Sequence, residues 1–272
     1  MKPSNVLRPK HPRNLQATIA VGVLFVGIYL VASYLGPWSP KKGWGLAFGF
    51  LATALFLFEM AYPWRRPRAR PLFTAKNWIQ AHVYLGALAF VAVLVHSDFT
   101  WPRGSLGWGL LLLSLWTTAS GLAGVFLQKW IPATLAESLR VEALYERIPE
   151  IVASRVAEAD ALMAGTSDVL QRFYRAEARP LLEKVNPSWS YLLDVRGGRD
   201  RAVEPFRRIA QFIDAGEKQK IDDLVAIFIE KAELDAHYSL QGVLRRWLII
   251  HVPPAALLMA LVVVHVAGWM LY

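Results

Sequence analysis

The chain has 272 residues, of which 55% are hydrophobic and only 19% charged, whereas soluble domains usually carry about 25% charged residues. It has no cysteine, which excludes disulfides, thiolate-ligated iron–sulfur clusters and covalent c-type haem attachment. The net charge of +9 is uneven: residues 1–76 hold eleven Lys or Arg and one acidic residue, while residues 129–242 hold 16 basic and 19 acidic residues. Because that longer segment is balanced in charge, we predict no nucleic-acid partner.

Five apolar stretches are each long enough to cross a bilayer as a helix. They cover about residues 17–35, 44–62, 78–95, 106–127 and 247–272. The sequence therefore predicts an all-α integral membrane protein with a bundle of five transmembrane helices. The predicted domains are 1–128 with helices one to four, 129–242 as a helical insertion, and 243–272 with helix five.

The insertion has its own helix signals. Pro149 is suited to the first turn of a helix that stops at Gly165, and Ser167 is suited to cap the next one, which runs to about residue 184. Residues 217–246 show helical periodicity with few breakers. We expect this last segment to continue into the fifth apolar stretch.

The basic residues predict the orientation in the membrane. Lys and Arg cluster at the N-terminus and in the 64–76 loop, whereas the 36–43 and 97–104 loops carry few. The positive-inside rule then places the N-terminus and the 129–242 domain in the cytoplasm and the C-terminus in the periplasm. We expect the location to be the inner membrane of a bacterium.

Four histidines lie inside or at the edges of two apolar stretches. His82 and His96 are in the third stretch and His251 and His265 in the fifth, and the members of each pair are 14 residues apart. At 100° per residue, both members project from nearly the same helix face, about 21 Å apart along the axis. Because the two helices run in the same direction, His82 is predicted to face His251, and His96 to face His265.

Two imidazoles facing each other at each of two levels are typical ligands of two b-type haems, which need no cysteine. His82 and His251 would bind the inner haem iron, and His96 and His265 the outer one. The 21 Å between levels is too long for one shared non-haem metal ion.

Three further residues are candidates for the same sites. Gly86 lies one turn after His82, where a small residue lets a macrocycle approach the backbone. Arg245 and Arg246 precede His251 at the inner edge and are candidates for bidentate contacts with haem propionates. They also suit the simpler role of topology determinants.

Other readings stay open at this point. The four histidines could be packed, hydrogen-bonded side chains or a proton relay. Glu59 suits either proton transfer at a quinone site or an interfacial carboxylate, and His237 suits local hydrogen bonding better than metal binding. Two groups of small residues are read as helix-packing surfaces, namely Gly45 with Gly49, and Ser120 with Gly121 and Gly124.

The histidine pattern resembles the haem core of ferric-reductase-type membrane proteins and is similar to the cytochrome b subunit of quinol–cytochrome c oxidoreductases. The segment Trp247-Leu248-Ile249-Ile250-His251-Val252-Pro253, with His265 after it, resembles bacterial membrane cytochromes of the first kind. The resemblance implies axial-ligand roles for the four histidines. The sequence departs from the first family in having five predicted spans instead of six and no flavin or nicotinamide domain, and from the second in lacking a Pro-Glu-Trp-Tyr motif. Residues 129–242 match neither.

The sequence thus predicts electron transfer through two haem b groups, with no catalytic residues of its own. We expect the chain to be the cytochrome b subunit of a larger redox complex in the lipid bilayer. The expected partners are cytochrome c, iron–sulfur or flavin proteins, with a quinone site as a further hypothesis. The alternatives are a proton-coupled transporter or channel that uses the intramembrane histidines, and a membrane scaffold that recruits partners through its helical domain.

Overall fold

The computed structural model describes residues 12–61, 75–139, 143–195, 197–209, 211, 213 and 215–271. All regular secondary structure in these ranges is helical. The first four helices are α1 (Pro12–Leu35), α2 (Gly43–Met60), α3 (Ala75–His96) and α4 (Ser105–Ser138). They are followed by α5 (Ile148–Met163), α6 (Asp168–Phe173), a π-helical turn (Tyr174–Ala178), α7 (Arg179–Leu182), α8 (Gly197–Ile209) and α9 (Lys218–Leu271). Short 3-10 turns are Tyr145–Arg147, Trp189–Leu192 and Ala215–Glu217.

Five of these helices, α1 to α4 and α9, are long and apolar enough to cross a membrane. The predictions of an all-helical chain and of five long apolar helices are therefore confirmed. Each predicted apolar stretch falls on one of these helices, and α4 and α9 extend well beyond theirs into the polar segment. Residues 62 and 272 lie outside the described ranges. The basic N-terminal residues 1–11 and residues 62–74 of the basic loop also lie outside them.

Contacts divide the chain into two compact units. The polar unit is Leu127–Arg246, and the apolar unit is formed by the segments that flank it, up to Phe126 and from Trp247. Helices α4 and α9 each contribute residues to both units. The helix signals of the insertion are confirmed: α5 begins at Ile148 with Pro149 in its first turn, and Ser167 caps α6 by accepting a hydrogen bond from the Leu170 amide.

Packing in the apolar unit centres on α3, which lies against α1 and α2. One buried cluster joins Phe48 and Ala52 of α2 to Ala92 and Val95 of α3. A second cluster joins α2, α3 and α9 through Phe56, Ala89, Leu258 and Val262. The second cluster defines the faces on which α3 and α9 meet.

Helix α9 runs unbroken for 54 residues, so the predicted continuation of residues 217–246 into the fifth apolar stretch is confirmed. Helix α9 continues through Pro253 and Pro254. Pro254 has no N–H for the carbonyl of Ile250 four residues earlier. The Trp116 indole Nε1 of α4 donates to that carbonyl instead, at 3.1 Å, which satisfies the freed acceptor.

Candidate functional site

The structure brings the four histidines of the third and fifth apolar stretches together in two pairs. The ring centroids of His82 and His251 are 6.3 Å apart, and their planes are inclined at 83°. The rings of His96 and His265 show the same 6.3 Å separation and the same 83° angle. These are the pairs expected from the 14-residue spacing, each with one ring from α3 and one from α9.

The separation within each pair fits a metal ion held between two imidazoles. An ion that binds one ring nitrogen on each side at about 2.0 Å holds the two ring centroids about 6.4 Å apart. Both pairs, at 6.3 Å, are within a fraction of an ångström of that distance. Each pair could therefore supply the two axial ligands of a haem iron.

The Nδ1 atoms of three of these rings are engaged by protein groups. His96 Nδ1 donates to the backbone carbonyl of Gly45 at 2.8 Å, and His82 Nδ1 forms an ion-pair contact with the Glu59 carboxylate. His251 Nδ1 lies 2.9 Å from the hydroxyl of Ser120. Metal-binding histidines usually donate their other ring N–H to such a group, which fixes the tautomer and leaves Nε2 free for the metal. In the described part of the chain, His265 has no such partner.

The ring of His251 is oriented from two sides by α4 and α9. The Trp247 indole stacks on it with centroids 5.4 Å apart, and its Nε1 donates to the Ser120 carbonyl at 2.8 Å. A Cβ at Gly124 would lie 2.0 Å from the Trp247 ring, and one at Gly121 would lie 3.4 Å from His251 Cε1. Gly124 therefore leaves the space that the Trp247 ring occupies, whereas the distance at Gly121 is that of an ordinary contact with His251.

Helix α2 lies close to both histidines of α3, His82 and His96. A Cβ at Gly49 would lie 2.8 Å from the His96 ring, so this ring rests directly on the α2 backbone. A Cβ at Gly86 would lie 3.7 Å from the Glu59 carboxylate, which is an ordinary contact distance. The neighbour of Gly86 in the structure is the Glu59 carboxylate, which contacts His82. A role for Gly86 in the approach of a haem to the backbone stays a prediction.

An apolar layer lies between the two histidine pairs. Ala89 is midway between the two histidines of α3, and Leu258 is midway between those of α9. Both are buried, with exposures of 0% and 3%, and they pack together with Phe56. The two candidate metal positions are therefore about 21 Å apart along the helix axes and separated by packed apolar side chains.

Arg245 and Arg246 make their observed contacts within the polar unit. Arg245 forms an ion pair with Glu146, and its guanidinium lies 4.3 Å from the Tyr145 ring centroid. The Arg246 guanidinium lies 4.7 Å from the ring centroid of Trp189. These contacts leave the propionate role of both arginines a prediction.

Several residues near the histidines were assigned to other roles on sequence alone. Glu59 was expected at a quinone site or at the membrane interface, and the structure places it on His82. Gly45, Gly49, Ser120 and Gly121 were read as helix-packing residues, and the structure shows that they also contact imidazole rings. Their small size was the available signal, but it did not indicate which helix they would meet.

His237 is separate from this site. It is buried in the polar unit, and its Nδ1 lies 3.3 Å from the Gln241 side-chain amide, consistent with the predicted local hydrogen bonding. Across the described ranges, no group of three or more His, Asp or Glu residues could hold a metal ion. No protein-family model, curated protein or solved structure matches the chain.

Proposed function

We propose that this protein is a dihaem b-type membrane cytochrome that transfers electrons across the bilayer. The observation that carries the proposal is the pair of equivalent His–His arrangements, each with centroids 6.3 Å apart and ring planes at 83°. Two unrelated packing contacts would not be expected to share both values. The resemblance of the sequence pattern to ferric-reductase-type and cytochrome b haem cores points in the same direction.

The surface of the apolar unit supports a membrane location. On α1, Leu24, Leu30 and Val31 are about 60% exposed, and none of the residues in its apolar window is buried. Exposing such surfaces to water costs roughly 25 cal/mol per Å² of apolar area, a cost that lipid removes. The charge pattern of the sequence supports an inner-membrane orientation with the polar unit in the cytoplasm and the C-terminus in the periplasm.

The chain's own residues would bind and orient the cofactors. His82 with His251, and His96 with His265, would hold one haem iron each through Nε2. Each bound haem would supply one-electron chemistry, and two axial imidazoles favour electron transfer over oxygen binding. Glu59, Gly45 and Ser120 keep the rings oriented through Nδ1. The layer around Ala89 and Leu258 excludes water between the two levels.

The donor and acceptor would be other molecules. The sequence has no Gly-rich phosphate loop after a strand and no cysteine, so neither a nucleotide nor a thiolate-ligated cluster is predicted within the chain. We propose that the chain works as a subunit of a larger redox complex with cytochrome c, iron–sulfur or flavin proteins, and that the polar unit is the docking surface. Exchange of electrons with quinone is part of the same proposal.

Haem content and ligand substitution test the function directly. The purified full-length protein, expressed with ample haem supply, is expected to contain two non-covalent haems per chain. Its reduced-minus-oxidised spectrum should show low-spin bands, and the nearly perpendicular rings predict a strongly anisotropic low-spin EPR signal. His82→Ala and His251→Ala should each remove one haem, and His96→Ala and His265→Ala should each remove the other.

His237→Gln is the matched control, because it replaces a buried histidine that belongs to neither pair. It should keep both haems. Absence of haem from the wild-type protein would refute the proposal and favour the transporter or scaffold alternatives. Two haems in His82→Ala would show that the assigned pairing is wrong.

A further inference from the structure

The two histidine pairs differ in the charge of the group that holds the α3 ligand. The Nδ1 atom of His82 is on the Glu59 carboxylate, whereas that of His96 is on the neutral carbonyl of Gly45. The Glu59 side chain is only 14% exposed. In the described part of the chain, no Lys or Arg forms an ion pair with it.

The α9 histidines, His251 and His265, do not offset this difference in charge between the two pairs. His251 Nδ1 contacts the hydroxyl of Ser120, a neutral group that also lies within hydrogen-bond distance of the Thr117 carbonyl, at 3.2 Å. His265 has no Nδ1 partner among the described residues. Of the described groups that contact Nδ1 of these rings, the Glu59 carboxylate is the one with a formal charge.

A carboxylate acceptor changes the electronic properties of a metal-bound imidazole more than a carbonyl does. It draws the Nδ1 proton toward itself, which makes the imidazole a stronger electron donor to the metal. Its negative charge also acts over a short distance in a low-dielectric interior, where it is poorly screened. Both effects stabilise the more positive ferric state relative to the ferrous state.

We propose that Glu59 makes the two haem positions unequal, so that the haem held by His82 and His251 has the lower midpoint potential. This inference rests on the proposed haem function and assigns Glu59 as a positioning and tuning residue, not as a ligand. At equilibrium in the half-reduced protein, the electron would reside mainly at the His96–His265 position. The two sites thus differ in energy although their ring geometries are the same.

The test is an anaerobic spectroelectrochemical titration of the purified full-length holoprotein. Wild-type protein should titrate in two waves. In His96→Ala, which keeps only the haem of the first pair, the remaining midpoint should match the lower wave, and in His82→Ala it should match the upper wave. If the haem left in His96→Ala had the higher midpoint and that in His82→Ala the lower one, the proposal would be overturned, and this result needs no variant of Glu59.

Glu59→Gln then tests the residue itself, because glutamine keeps a hydrogen-bond acceptor and removes the charge. We expect the lower midpoint to rise toward the upper one, with the upper midpoint unchanged and two haems retained. Ser120→Ala is the control at the same haem, and it should shift the lower midpoint much less because the hydroxyl is neutral. An unchanged lower midpoint in Glu59→Gln would overturn the proposal, whereas haem-free wild-type protein would refute the haem function itself.

Discussion

His96 depends on the absence of a side chain at Gly49. A Cβ at this position would lie 2.8 Å from both Cε1 and Nδ1 of the ring, closer than real Cβ contacts occur. We predict that Gly49→Ala displaces His96. Under the proposed function it lowers haem content from two to about one per chain, because an iron–imidazole bond tolerates little displacement. The measurement is haem quantification on the purified variant.

Gly27→Ala provides the comparison for this substitution. Gly27 lies in α1, and a Cβ there would meet nothing within 4 Å. This variant should retain two haems. Full haem content in Gly49→Ala as well would mean that α2 can move away from His96 at little cost.

The pairing of the four histidines could be predicted from sequence, but their neighbours could not. The pairing of His82 with His251 follows from spacing within two helices, which backbone geometry fixes. The positions of Glu59 and Ser120 depend on how α2 and α4 are rotated about their axes. The small residues of α2 and α4 indicate a packing face on each helix, but they do not specify which helix that face meets.

Trp116 of α4 donates to the Ile250 carbonyl, which Pro254 of α9 leaves without its helical donor. We predict that Trp116→Phe leaves the Ile250 carbonyl without its donor and lowers the free energy of unfolding by about 1 kcal/mol. The expected observation is a lower Tm in detergent, followed by circular dichroism. Trp108→Phe is the control. The Trp108 ring stacks on Trp101, and among the described residues its indole donates no hydrogen bond to α9. Equal Tm values for the two variants would contradict this role.

Helix ends could be predicted where they coincide with the end of an apolar stretch. They could not be predicted where packing against a distant segment extends the helix. The apolar stretches gave the limits of α1 to α3 within a few residues. Helix α4, however, continues to Ser138, well beyond the predicted end at residue 127. Its extension carries Ile131 and Leu135, spaced four apart, which pack against Ala236 and Leu240 of α9. That partner is about 100 residues distant in sequence and could not be inferred from local hydropathy.

The polar unit has a hydrophobic core of its own, so its stability should be separable from haem binding. Phe206 is 2% exposed, and its ring makes edge contacts with Phe173 and Phe228. We predict that Phe206→Ala lowers the unfolding free energy of this unit by about 3–5 kcal/mol and leaves the two haems of the proposed function in place. Limited proteolysis in urea, read beside the haem spectrum, measures both quantities.

Leu193→Ala is the control for the core substitution. Leu193 is 94% exposed, so its truncation should change protease resistance little. Loss of haem from Phe206→Ala in the absence of urea would show that the cofactor sites require the intact polar unit.

Each histidine pair takes one ring from α3 and one from α9, and this has a consequence for the order of biosynthesis. His251 is translated 169 residues after His82. At about 5–20 residues per second, the ribosome needs roughly 10–35 seconds to cover that distance. Under the proposed function, α3 is in the membrane during that time with only one histidine of each pair, while the polar segment is translated and folds. Cofactor capture then waits for α9, and a chain released before α9 is made would carry neither haem.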